Sequence, residues 1–194
     1  MSNSLKFHKK ISNDTCNFSE WGITISKCST YTVFDNETLL GYLYTNGAQS
    51  YADLYRHKLI INRERKWFKR DRHYVFDAVS KKEIALVTYG LRFNRTSAEI
   101  SIVNQNPYSW YRKDFEVHKL FRPQTWHQFR NIMSNDVHQI NFEGAFDSQG
   151  LSFKRMVNRP LTGTIQFNSP DPLAIICGLY CLECELDGKD RESA

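Results

Sequence analysis

The sequence has no apolar run long enough to cross a bilayer as a helix. Its longest, Pro172 to Leu182, is 11 residues, against the roughly 20 that a span requires. Met1 to Lys10 hold three Lys and a His with no apolar core behind them, so no secretory leader is expected there. Glycine and proline are scarce, at nine and five of 194 residues, which excludes collagen-like and low-complexity classes. No unit of about 20–50 residues recurs and no heptads are sustained, which excludes repeat arrays and coiled coils. The five cysteines are an odd number, with three gathered at Cys177, Cys181 and Cys184. They predict reduced, buried thiols in a cytoplasmic setting and not a disulfide framework. In that setting the sequons at Asn13, Asn17, Asn36 and Asn94 are chance matches. Also missing are G-x-S-x-G, H-E-x-x-H, G-x-x-x-x-G-K-[ST] and G-x-G-x-x-G, the familiar marks of hydrolases, zinc proteases and nucleotide enzymes. No cofactor is implied.

Aromatic side chains are abundant, with 13 Phe, 10 Tyr and 4 Trp making 14% of the chain. Such residues fit a pleated, half-buried surface. Leu161, Gly163, Ile165 and Phe167 alternate with polar neighbours, as do Ala98, Ile100 and Ile102, and Ile23 with Ile25. This is the period of half-buried strands. Turn chemistry at Asp35–Thr38, Asp77–Lys82 and Asp147–Gly150 separates strand-like runs and predicts hairpins. Such runs number about ten to thirteen, which argues for one antiparallel barrel or sandwich over residues 1–194. Trp126, Phe129 and Ile132 recur at i, i+3 and i+6, predicting a short helix over Pro123–Ile132 with a strand as the rival reading.

A second helix is signalled more fully. Asp171 suits the N-cap and Pro172 the first helical position, an apolar stretch runs to Leu186, and Gly188 suits a stop. Its first ten residues are apolar around the whole circumference, so protein must surround it. In a strand-rich chain that means a helix threaded through a barrel or laid in a closed sheet.

Three stretches resemble the tubby-like superfamily, which includes tubby domains, phospholipid scramblases and LURP-one-related proteins. Gly163–Leu186 is similar to the final strand and buried helix of a scramblase-type domain. His73–Val87 is similar to the family's hairpin, and Phe142–Phe146 with Leu151–Lys154 to its later strands. The resemblance implies a mainly β fold: a closed antiparallel barrel of about twelve strands around a buried hydrophobic C-terminal helix. An acidic calcium loop, a palmitoylated cysteine stretch and a proline-rich arm are missing, so scrambling activity is not implied.

The strongest functional feature is a basic decapeptide. Residues 63–72 hold Arg63, Arg65, Lys66, Lys69, Arg70 and Arg72 around Trp67 and Phe68, a net +4 in a chain of net +5. Such a cluster attracts phosphate-rich partners in a salt-dependent way, each basic residue adding about 1 kcal/mol near an anionic membrane. Trp67 and Phe68 would insert in a lipid interface or stack on bases. The bland alternative is a solvated hairpin whose charges keep edge strands apart. Tubby domains bind phosphoinositide headgroups, which favours lipid as the ligand. The resulting reading is a non-catalytic binding module for an anionic lipid headgroup or an acidic protein surface, peripheral at a membrane in the first case. A nucleic-acid binder using the same stretch and a protein-interaction module are the alternatives; the pattern specifies no oligomeric state. For catalysis the sequence offers only the carboxylate–imidazole pairs Glu116/His118 and Asp136/His138. For metal it offers Cys181-Leu-Glu-Cys184 with no second ligand pair, so no metal site is assigned. Tyr108 to Phe115 would line a groove or pack the inner face of a strand.

Overall fold

The computed structural model describes residues 3–12, 14–64, 71–89, 97–113, 125–131, 137–144 and 160–191. In chain order the strands are β1 (Asn3–Ile11), β2 (Cys16–Phe18), β3 (Ile23–Ile25), β4 (Ser29–Asp35), β5 (Thr38–Thr45), β6 (Gln49–Leu54) and β7 (His57–Glu64). There follow β8 (Arg72–Asp77), β9 (Glu83–Tyr89), β10 (Ser97–Ile102), β11 (Tyr108–Lys113), β12 (Thr125–Asn131), β13 (Val137–Gly144) and β14 (Leu161–Phe167). One helix, α1 (Pro172–Arg191), ends the described chain, and a 3-10 turn at Ser19–Trp21 links β2 to β3. The chain is mainly β, with the helix packed on one large antiparallel sheet.

From β4 to β14 each strand pairs with the next in sequence, and β1 pairs with β14 on one side and β4 on the other. Among the described residues the order β1-β14-β13-β12-β11-β10-β9-β8-β7-β6-β5-β4 therefore returns to its start, while β2 and β3 form a separate hairpin. The Asp35–Thr38 and Asp77–Lys82 turns join β4 to β5 and β8 to β9 as their composition requires. Asn36 takes φ +53°, and Asp77 accepts the Ser80 N–H at 2.6 Å. The Asp147–Gly150 turn lies outside the described residues.

Alternation sets which side chains meet α1. Leu5 and Phe7 of β1, Tyr31 and Val33 of β4, Leu59 and Ile61 of β7, and Ile165 and Phe167 of β14 join one core with the helix. Every residue from Ala174 to Glu185 is buried, and α1 is contacted by β5 and β6 and also by β10, β11 and β13, far away in the strand order. Asp171 caps the helix, its Oδ1 accepting the N–H groups of Leu173 and Ala174 at 3.1 and 3.2 Å. Its Oδ2 accepts the Tyr108 hydroxyl at 2.8 Å, which ties the helix start to β11.

Two sequence expectations change. Residues 125–131, within the Pro123–Ile132 segment read as a short helix with a strand as the rival, form β12, because hydrogen bonding to β11 and β13 outweighs a weak local preference. Gly188, expected as the helix stop, lies inside α1; an internal glycine costs a helix only about 1 kcal/mol.

A second, smaller core lies on the opposite face of β5–β8. Ile23, Ile25, Cys28, Tyr51, Ile60 and Ala78 are buried together there, with Cys16, Phe18, Trp21, Tyr44 and Phe76 packed against them. The β2–β3 hairpin covers this patch, so the outer face of these strands is apolar as well.

One close approach fixes the junction of β1 and β14. A Cβ on Gly163 would lie 2.6 Å from the Phe7 ring and 2.2 Å from the Asn141 carbonyl oxygen. Gly163→Ala is therefore expected to destabilise the fold by about 1–3 kcal/mol. The measurement is chemical denaturation, with a lower midpoint and an unchanged slope; an unchanged midpoint would contradict the packing described.

Candidate binding groove

The helix brings charge into the core as well as carbon. The Lys9 Nζ lies 2.6 Å from Glu183 Oε2, with both side chains almost fully buried. Tyr31 donates its hydroxyl to the same oxygen at 2.6 Å. Beside this group, His73 Nδ1 and the Tyr180 hydroxyl are 2.5 Å apart, and Cys184 Sγ lies 4.0 Å from the same nitrogen. Asp71 lies 3.8 Å from His73 Nε2 and ion-pairs with Arg63.

Cysteine, histidine and aspartate in this order have the outline of a nucleophile triad. The geometry speaks against that chemistry. Cys184 is 1% exposed, its thiol faces the Gly47 carbonyl at 3.8 Å, and Tyr180 takes the near nitrogen of His73. Burial pushes the Cys177 thiol up to about 12 and raises Cys181, so these cysteines are packing groups. Among the described residues no cluster of three or more His, Cys, Asp or Glu could hold a metal.

The basic decapeptide connects β7 to β8, whose register pairs Glu64 with Arg72 and Arg63 with His73. Arg63, expected as a surface cation, is turned inward. Its side chain is 5% exposed and committed to Asp71, because position 63 falls on the face of β7 shared by Leu59 and Ile61. Arg72 is exposed. Arg65, Lys66, Trp67, Phe68, Lys69 and Arg70 lie outside the described residues. Of the carboxylate–imidazole pairs only His138 is described; it is buried against Tyr108 and Phe167 at 5.6 and 6.1 Å, which suits a core residue. Tyr108 and Trp110 are buried, as a strand's inner face requires.

The outer face of β5–β7 holds a groove that sequence reasoning did not find. It has a volume of about 520 Å³ and is walled by Phe18, Trp21, Tyr42, Tyr44 and Tyr51, with Asn17, Ser19, Glu20, Asp53 and Lys58 as its polar groups. That volume is in the range of small-ligand sites. The strand period builds it: Tyr42 and Tyr44 point outward from β5 while Leu43 points in. The Phe18 ring from β2 lies 4.5 Å from Tyr51 and 4.9 Å from Tyr44, and Trp21 stacks on Tyr51 at 6.5 Å. Gly41 allows β5 and β6 to approach closely, since a Cβ there would lie 2.0 Å from the Asp53 carbonyl oxygen. Tyr42 and Asp53 face each other in that register.

The electrostatics of the groove are distinct from those of the chain. Burial raises the Tyr51 hydroxyl, and the Asp53 carboxylate raises it further. Tyr44 is raised by burial, then by Tyr42. Both phenols stay protonated near neutral pH and are available as donors. The Nζ atoms of Lys58 and Lys81 lie 5.6 and 5.3 Å from the centre of the Trp21 ring, within cation–π range. The signal for this groove was a strand apolar on both faces: Leu43 inward with Tyr42 and Tyr44 outward calls for a second covering layer.

The chain matches no family model, no curated protein and no solved structure. Among the described residues no helix is long and apolar enough to cross a membrane.

Two measurements probe the interior charges. Lys9→Met strands a buried Glu183 and is expected to cost about 3–5 kcal/mol, with Glu183→Gln in the same chain recovering part of that loss; equilibrium unfolding of the single and double variants reads it. The second is acid unfolding. Burial alone would raise Asp71, but its bonds to His73 and Arg63 and their charges outweigh it and hold the carboxyl well below the usual range. Its contribution is thus present above the ordinary carboxylate pKa of about 4 and is lost as pH falls toward the depressed value. Asp71→Asn should make stability fall less steeply below about pH 4, and an unchanged acid limb would contradict the pairing.

Proposed function

We propose that this chain is a non-catalytic binding module that receives its ligand on the outer face of its sheet, in the groove between the β2–β3 hairpin and β5–β7. The observation that carries this is the aromatic wall of Phe18, Trp21, Tyr42, Tyr44 and Tyr51 around an accessible 520 Å³ space. The space beside the sheet's other face is filled by α1, buried from Ala174 to Glu185. Large aromatic rings beside a few polar groups are the usual composition of contact sites. The closed strand order around that helix supports the finer reading of the fold as a tubby-like barrel. Cys16, Cys28, Cys177, Cys181 and Cys184 are all free thiols, which supports a reducing, cytoplasmic setting.

A second reading assigns an anionic lipid headgroup, an acidic protein surface or a nucleic acid to the basic β7–β8 connection. The exposed Arg72 at the start of β8 and the cations at 65, 66, 69 and 70 favour it. Arg63 takes no part, being paired with Asp71.

The two surfaces separate in one experiment. In nitrogen-15 spectra the Trp21 indole signal, assigned with Trp21→Phe, is expected to shift when a mixed fragment and peptide library is added. Tyr44→Ala should abolish that shift. A silent Trp21 signal, together with flotation on phosphoinositide vesicles that Lys69→Glu and Arg70→Glu remove, would move the function to the basic connection.

A further inference from the structure

We infer that the groove recognises a guanidinium group, the arginine side chain of a peptide partner; this rests on the groove being the binding surface. The deciding feature is Asp53. Asp53 is a half-buried residue of the groove lining, and among the described residues its carboxylate has neither an ion pair nor a side-chain hydrogen bond. A natural partner stands directly across the strand pair, since Asp53 and Lys58 are register neighbours in β6 and β7. Lys58 nevertheless places its ammonium over the Trp21 ring, leaving the carboxylate open to a ligand.

The surroundings select a cation of a particular shape. In a chain of formal charge +5, the groove region is balanced, with Glu20 and Asp53 in the lining against Lys58 and Lys81, and both lysines place their ammonium groups over Trp21, so Asp53 is the charge left for a ligand. Tyr42 is the register neighbour of Asp53 across β5 and β6 and its ring centre is 5.7 Å from that of Tyr44, so both rings share the outer face of the sheet with the Asp53 side chain. Aromatic faces attract cations, as the two lysines over Trp21 already demonstrate. A guanidinium is planar, is more weakly hydrated than an ammonium, and offers two parallel N–H donors to one carboxylate while stacking on a ring. An ammonium uses only part of that arrangement. The ligand is thus an arginine held flat against tyrosine with its fork on Asp53.

The test uses the whole chain and three probes at low salt: acetyl-Gly-Ser-Arg-Ser-Gly-amide and the same peptide with lysine or citrulline in place of arginine. Binding is followed by the Trp21 indole signal and calorimetry. The arginine peptide is expected to bind at least tenfold more tightly than the citrulline peptide, with the lysine peptide between them. Asp53→Asn, checked for native spectral dispersion, should bring the arginine-to-citrulline ratio close to one. Equal binding of arginine and citrulline peptides, or a preference that survives Asp53→Asn, overturns the guanidinium assignment while leaving the groove as a binding surface. Silence of all three peptides at Trp21 overturns it too, and if the fragment library is also silent the groove itself is not the binding surface.

Discussion

The enclosure of α1 is the constraint from which the remaining architecture follows. A helix apolar on every side cannot lie on a surface, and a single sheet face can cover only part of it. Strands from distant parts of the order therefore have to converge on it, which they do through β5 and β6 and through β10, β11 and β13. Because the inward positions of those strands are spent on the helix, open concave surface is left to the outward positions. The groove between Phe18, Tyr44 and Tyr51 is the outcome of that division.

Enclosure also explains the odd company α1 keeps in its second half. Glu183 is carried into the core by the helix, and a lone carboxylate there would be very unfavourable. Lys9 from β1 and Tyr31 from β4 supply the charge and the hydrogen bond. This pair ties the helix to two neighbouring strands of the sheet, so it specifies rotation of the helix as well as its depth. His73 and Tyr180 do the same from β8.

Much of this fold was legible because it depends on local periods. The alternation at Leu161–Phe167, the turns at Asp35 and Asp77, and the capping Asp171 each state a conformation within a few residues. What failed was whatever needed a distant partner. The Trp126 and Phe129 spacing suited a helix, yet the segment has β11 and β13 on either side, which no local rule encodes. Arg63 read as surface charge because its acid, Asp71, is eight positions on in a hairpin. The groove was missed for the same reason: Phe18 and Trp21 come from one hairpin, Tyr42 and Tyr44 from another strand, and only packing brings them together. The outward tyrosines of β5 were the visible trace of it.

The pairing of β1 with both β4 and β14 also bears on how the molecule is made. Phe7 needs Gly163 directly opposite, so one edge of the first strand waits until the chain beyond residue 160 has emerged from the ribosome. Contacts of such long sequence separation slow folding. During synthesis the meander from β4 onward would grow with an open edge and an exposed greasy face, the situation in which nascent chains meet chaperones. The last strand and the helix would then act as the closing event, converting a vulnerable open sheet into a finished domain in one late step.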